Sequence, residues 1–320
     1  MKNKNGVMSV NAIIEKITEQ IQEGIYPGAS LALYRNGQWS EHYLGLADPE
    51  KGEPVVADLV YDLASVSKVV GVATICAFLY AKGELALDRP FKELYPRFAH
   101  EKTTIRELLT HTSGLDPFIP NRDQLDARQL KTALENLQLK EDKSFHYTDV
   151  NFLLLGFWLE DRFRQPLDRL FEELIFTPWK MTETRFGPVE KAVPTVRGVA
   201  SGSVHDPKAR VLGRHAGSAG LFSTVADLER FLERYLKEDF ARDLSQNFAR
   251  EEGKTRALGW NLEGDWLDHT GYTGTFIMYN RKRQEAVIFL SNRTYEKDER
   301  AQWILDRNSL MDLIKQEFEK

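Results

Sequence analysis

The chain has 320 residues, of which 42% are hydrophobic and 28% charged, with a formal net charge of −5. That length supports one large core or two closely packed lobes, and the composition is that of an ordinary folded protein. The acidic balance argues against nucleic acid or an anionic membrane as the main partner, and a single cysteine, Cys76, excludes an internal disulfide.

Residues 1–6 are basic but no apolar h-region follows them, and no run approaches the ~18 apolar residues of a membrane span, so the chain reads as cytoplasmic. Residues 9–23 place Ile13, Ile14, Ile17 and Ile21 on one helical stripe, which Pro27-Gly28 ends. A strand over 29–34, an Asn36-Gly37 turn and a returning strand over 39–45 form a hairpin. A small, aliphatic run from Ser65 onward predicts a largely buried helix, closed near Lys82-Gly83.

From Leu87 to about Gly187 the texture changes to helices and proline-punctuated loops. Residues 103–107 look like a capping box opening a short helix, followed by helices over 126–137, 150–163 and 167–175. A loop region rich in Gly, Ser and Ala leads to a helix over 224–238. Strands over 257–262, 265–270, 274–280 and 286–291 precede a last helix over 302–318. The predicted class is therefore α+β: an antiparallel β-sheet flanked by N- and C-terminal helices, with an inserted helical subdomain. Residues 1–86 and 188–320 would form one lobe and 87–187 the other, with a site in the cleft between them.

Four stretches carry candidate chemistry. In Ser65-Val66-Ser67-Lys68 the lysine lies three residues on, over the same helix face as the serine. A serine hydroxyl needs a neighbour to take its proton, and a lysine of lowered pKa can do so or can assist another base. Alone, the tetrapeptide also fits a capping serine beside a surface lysine. Tyr147 and Asp149 flank a turn before an apolar helix, where Asp149 also fits a plain N-cap. His269-Thr270-Gly271 ends a strand where glycine permits close backbone approach, which fits a ligand face or an ordinary hairpin. Small residues at 201–206 and 217–224 suit a loop packed around a site, or simply a dense connection.

The order of these stretches is more specific than any one of them. Ser-x-x-Lys, then Tyr-x-Asp, then His-Thr-Gly resembles the penicillin-recognising serine hydrolases: class C β-lactamases, D-alanyl-D-alanine peptidases and their esterase and amidase relatives. His111-Thr112-Ser113-Gly114-Leu115 and residues 219–224 resemble framework segments of that family. The resemblance implies a nucleophile at Ser65, an activating Lys68 and a proton-shuttling Tyr147. It implies an oxyanion hole from the main-chain N–H groups of Ser65 and Tyr272, and substrate contacts from Asp149, His269, Thr270 and Gly271.

Two departures bear on mechanism. Asp149 stands where β-lactamases and many peptidases have asparagine; an ionised carboxylate only accepts hydrogen bonds, and near Lys68 it would favour the ammonium, leaving Tyr147 as base. His269 replaces the lysine of K-T-G, so an anion-binding cation there would titrate near ~6.5. The expectation is a serine hydrolase acting through an acyl-enzyme on a small-molecule ester, amide, peptide or muropeptide. An esterase or a peptidoglycan-fragment peptidase or amidase is favoured over an efficient β-lactamase, although β-lactams remain candidate acylating agents. A slow-acylating penicillin-binding or sensor protein is the alternative. No cofactor and no metal are expected, since the seven histidines are scattered without ligand spacing.

Overall fold

The computed structural model describes residues 10–250 and 254–320. The basic segment over residues 1–6, on which the reading of the leader rested, lies outside them, as does Ser9. The chain opens with α1 (Val10–Gln22), which buries Ile13 and Ile17. β1 (Gly28–Arg35) and β2 (Gln38–Asp48) follow, joined at Asn36 and Gly37, whose φ values of 55° and 80° suit a primed hairpin turn. β3 (Glu53–Pro54) and β4 (Tyr61–Asp62) lead to the Ser65 segment, which ends in α2 (Thr74–Ala81). Then come α3 (Phe91–Leu94), α4 (Ile105–Thr110), α5 (Ala127–Glu135), α6 (Val150–Phe163), α7 (Leu167–Phe171) and α8 (Thr177–Trp179). After these the chain forms β5 (Arg185–Phe186), α9 (Pro207–Leu212), β6 (Leu221–Ser223) and α10 (Val225–Lys237). It closes with β7 (Asn261–Glu263), β8 (Trp266–Thr270), β9 (Phe276–Asn280), β10 (Glu285–Ser291) and α11 (Arg300–Glu319).

The main sheet is seven-stranded in the order β3-β2-β1-β10-β9-β8-β7, and its pairings are antiparallel. Alternation along the strands sends side chains to two cores. Leu31, Leu33, Met278 and Phe289 meet Ile13, Ile17 and Ile314 beneath α1 and α11. Ala32, Ile277 and Ile288 face the larger core, which also takes Val69, Phe152 and Leu232 and continues into the helical segment. The fold is thus α+β with helices flanking an antiparallel sheet.

Several local expectations need correction. The Ser65 segment is not one α-helix: Ala64–Val66 is a 3₁₀ turn and Val69–Ala73 a π turn before α2 begins. The Thr74 hydroxyl also donates to the Val69 carbonyl at 2.6 Å, a side-chain bond that braces the widened turn. The strand expected over 257–262 shrinks to β7, because the preceding residues turn around the buried Arg256, which donates to the Gly259 carbonyl at 3.2 Å. A second, three-stranded sheet, β4-β6-β5, went unpredicted, as did α9. The Ala64–Ala81 run, with 18 residues and mean hydropathy 1.6, is long and apolar enough to cross a bilayer by composition, contrary to the expectation from sequence; 78% of it is buried inside the protein.

Candidate active site

Ser65 lies in the 3₁₀ turn directly after β4. Its neighbour Ala64 has φ 44°, a left-handed conformation costly for a residue with a side chain. Two groups hold that bend. The Asp62 carboxylate accepts from the Ala64 amide and from the His205 amide, both at 2.8 Å. The Leu63 amide donates to the Leu221 carbonyl of β6 at 2.9 Å. Asp62 is itself buried, and burial pushes its pKa up to about 6 against the pull of those two amides.

Lys68 is fully buried, with 0% side-chain exposure. Its ammonium donates to Ser65 Oγ at 2.8 Å, to Asp149 Oδ1 at 2.7 Å and to the Ser218 carbonyl at 2.9 Å. Burial alone would depress its pKa, but the Asp149 carboxylate and the Tyr147 side chain carry it above the ordinary lysine value. Asp149 starts α6 without capping it, so the N-cap reading does not hold. Instead its second oxygen faces Lys208 Nζ at 3.3 Å. Burial raises the Asp149 pKa, and the two lysines more than reverse that, holding it below the usual carboxylate range.

Tyr147 is 36% exposed at the mouth of the site. Its ring lies 5.2 Å from Lys68 Nζ and 4.6 Å from the His111 ring. His111 Nδ1 receives the Asn151 amide at 3.1 Å, and the imidazole stacks on Phe152, so Tyr147 rests on a fixed platform.

His269, Thr270 and Gly271 close the far wall at the end of β8. Gly271 cannot carry a side chain here: a Cβ would sit 2.6 Å from the Leu63 carbonyl oxygen and 2.1 Å from Thr275 Oγ1. The hydroxyls of Thr273 and Thr275 donate to the carbonyls of Asp62 and Leu63 at 2.9 and 3.1 Å. These contacts lock the turn carrying Tyr272 against the turn carrying Ser65. The Tyr272 carbonyl is held by Arg293 Nε at 2.8 Å, while its amide has no partner among the described residues. The structure therefore brings Ser65, Lys68, Tyr147, Asp149, His269, Thr270, Gly271 and Tyr272 into one cleft.

The cleft has two compartments, and Ser65, Tyr147 and Tyr272 border both. The larger, about 890 Å³, also takes in Asp149, His205, Lys208 and Phe118. The smaller, about 220 Å³, is lined by His269 and Thr270 and by the cations Lys254, Arg293, Arg300 and Arg307. His269 was expected to be a titrating cation, and this is corrected: burial, then the nearby Lys68 and Arg256 charges, hold its pKa well below the ordinary imidazole value. It is a neutral ring lining a basic pocket. Sequence reasoning missed Lys208, Arg256 and the basic residues of the smaller compartment, which carry no motif and meet only through loop closure.

The Beta-lactamase family model matches residues 13–310. A relative in Escherichia coli K12, named "Putative D-alanyl-D-alanine carboxypeptidase", is 27% identical, the alignment covering 90% of this chain and 83% of the relative. Among solved structures, the β-lactamase/D-alanine carboxypeptidase of Pseudomonas syringae superposes with TM-score 0.74 at 20% identity, covering 93% of this chain and 97% of its own. EstCE1, a hydrolase with promiscuous acyltransferase activity, gives TM-score 0.76 at 19% identity, covering 95% and 98%.

Proposed function

The chain belongs to the Beta-lactamase family, and we propose that it is a serine hydrolase that forms an acyl-enzyme on Ser65, acting as an esterase or as a peptidase or amidase on peptide-like substrates, not as an efficient β-lactamase. The observation that carries this reading is the Lys68 ammonium, buried and 2.8 Å from Ser65 Oγ. Its three protons are spent on Ser65, Asp149 and Ser218, and an ammonium has no lone pair with which to act as a base.

Tyr147, in its phenolate form beside the Lys68 ammonium, then takes the Ser65 proton as Oγ attacks the substrate carbonyl, while Lys68 stabilises the negative charge building on the serine oxygen. The carbonyl oxygen enters between the amides of Ser65 and Tyr272, each such donor contributing about 3–4 kcal/mol to barrier lowering in well-studied hydrolases. Tyr147 returns the proton to the leaving group as the tetrahedral intermediate collapses to the acyl-enzyme. Water attacks that ester by the reverse route, and Ser65 recovers its proton. Since Ser65 and Tyr272 border both compartments, one side of the scissile bond extends into each. Lys254, Arg300 and Arg307 suit a leaving group bearing a carboxylate, such as the C-terminal residue of a peptide. The E. coli relative's name supports the same choice.

The test is intact-mass spectrometry after treatment with a fluorophosphonate and with a penicillin, in wild type and Ser65→Ala. A single adduct on wild type, absent from the variant, is expected with the fluorophosphonate. Equal labelling of the variant refutes Ser65 as nucleophile. A persistent penicillin adduct without hydrolysis of any ester or peptide favours the slow-acylating sensor instead.

A further inference from the structure

The larger compartment lacks a donor where the resemblance would place one. Asp149 borders it, but a carboxylate only accepts, and both its oxygens are engaged, Oδ1 by Lys68 at 2.7 Å and Oδ2 by Lys208 at 3.3 Å. Lys68 has no proton to spare. Lys208 differs. It rises from the first turn of α9 with 15% side-chain exposure, borders the larger compartment, and has Asp149 as its ion-pair partner among the described residues. One N–H of its ammonium meets Asp149, and two remain for a ligand.

We propose that Lys208 is a substrate-binding residue that donates to an oxygen on the acyl portion of the substrate, an amide carbonyl or a carboxylate close to the scissile carbonyl. Asp149 serves as its anchor. The carboxylate ties Lys208 to the buried Lys68, so the donor sits at a fixed height beside the nucleophile instead of roaming on a flexible stem. Arg210 borders the same compartment and makes no ion pair among the described residues, so a carboxylate-bearing acyl group would meet a second cation there. An acyl chain of bare methylenes would leave the Lys208 protons without an acceptor when water is excluded, a penalty that disfavours it. Acyl selectivity is thus set by a residue outside the Ser-x-x-Lys, Tyr-x-Asp and His-Thr-Gly stretches.

The proposal rests on the serine-hydrolase reading and is tested with p-nitrophenyl esters sharing one leaving group: butyryl, N-acetylglycyl and succinyl. Wild type, Lys208→Met and Lys208→Arg are compared by kcat/KM, with fluorophosphonate labelling of Ser65 as the check on folding. The expected result is that Lys208→Met lowers kcat/KM for N-acetylglycyl or succinyl ester at least about tenfold more than for butyryl ester, with Lys208→Arg restoring part of the difference. The ester that loses more identifies amide oxygen or carboxylate as the natural acceptor. A parallel fall for all three esters overturns the proposal and makes Lys208 only a support for Asp149 and Lys68, and unchanged ratios with full activity overturn it equally. Wild type that labels at Ser65 but hydrolyses none of the three overturns this proposal, and the hydrolase reading with it when peptides are not turned over either.

Discussion

Replacing Asp149 by asparagine separates the two ways Lys68 can act. The carboxylate lies 2.7 Å from an ammonium with 0% side-chain exposure. At an effective dielectric of about 20 that attraction is roughly 6 kcal/mol. Asp149 keeps 24% exposure and shares its charge with Lys208, so the loss is smaller; breaking a buried pair from one side typically costs about 3–5 kcal/mol. Expressed as protonation, this moves the Lys68 titration down by about 2–4 pH units, from above the lysine range to within reach of ordinary assays. Burial, the largest influence on Lys68 and one that favours the neutral amine, then acts with less opposition. If Tyr147 is the base and Lys68 must be cationic, kcat/KM of Asp149→Asn falls along a new descending limb between about pH 9 and 11, where wild type stays level. The assay is kcat/KM for a thioester over about pH 5–11, paired with the rate of fluorophosphonate labelling. A profile superimposable on wild type refutes the reasoning, and activity that climbs as Lys68 deprotonates identifies the lysine amine as the base.

Two further outcomes follow from the buried groups around this pair. Asp62 titrates near pH 6 in the fold against about 3.9 unfolded; a pKa raised by folding contributes stability that is complete below the unfolded value and is lost as pH rises through the folded one. Between pH 5 and 7.5 wild type should therefore lose roughly 1–2 kcal/mol relative to Asp62→Asn, measured by urea unfolding at both pH values; a constant difference between the two proteins contradicts the assignment. His269, neutral through burial, should add no limb near pH 6.5 to kcat/KM for a carboxylate-bearing substrate, and a loss of affinity there that vanishes in His269→Gln shows a histidine cation at work.

The elements legible in the sequence are those whose signals are local. Thr104 and Glu107 form the capping box at the start of α4, and α6 spans the predicted Val150–Phe163, because caps and an apolar helix depend on residues within a few turns. The Ser65, Tyr147 and His269 stretches were recognisable by their order along the chain, and the pairing of Lys68 with Asp149 followed from the charge of the odd residue in that pattern. The π turn after Lys68 was not legible, since it depends on a carbonyl–hydroxyl bond and on Gly71 packing against the Phe171 ring from another element. Lys208, Arg300 and Arg307 were invisible for a related reason: isolated basic residues have no periodicity, and only the closed loops show that they share a cleft. The His269 charge was misjudged because a free imidazole value ignores both 2% exposure and the cations around it.

Burial, reinforced at several positions by those cations, lowers the pKa of most basic groups in the cleft other than Lys68. Lys68 and Lys208 flank a single carboxylate, and Lys254, Arg293, Arg300 and Arg307 line the neighbouring compartment. Burial and this field together keep His111 and His269 neutral and, with burial leading, lower the pKa of Lys254 and of Arg307. Arg256, fully buried, falls to about 10 through burial, although Tyr147 and Asp268 pull the other way. Crowding like charges in a water-poor site costs stability in the empty protein. On the proposed mechanism, a substrate carboxylate in the smaller compartment would relieve part of that cost on binding, and the oxyanion between Ser65 and Tyr272 would relieve more as it forms. Relief at the oxyanion would exist only in the transition state and so would accelerate the chemistry, whereas relief at the carboxylate would be shared with the ground state and would act through affinity.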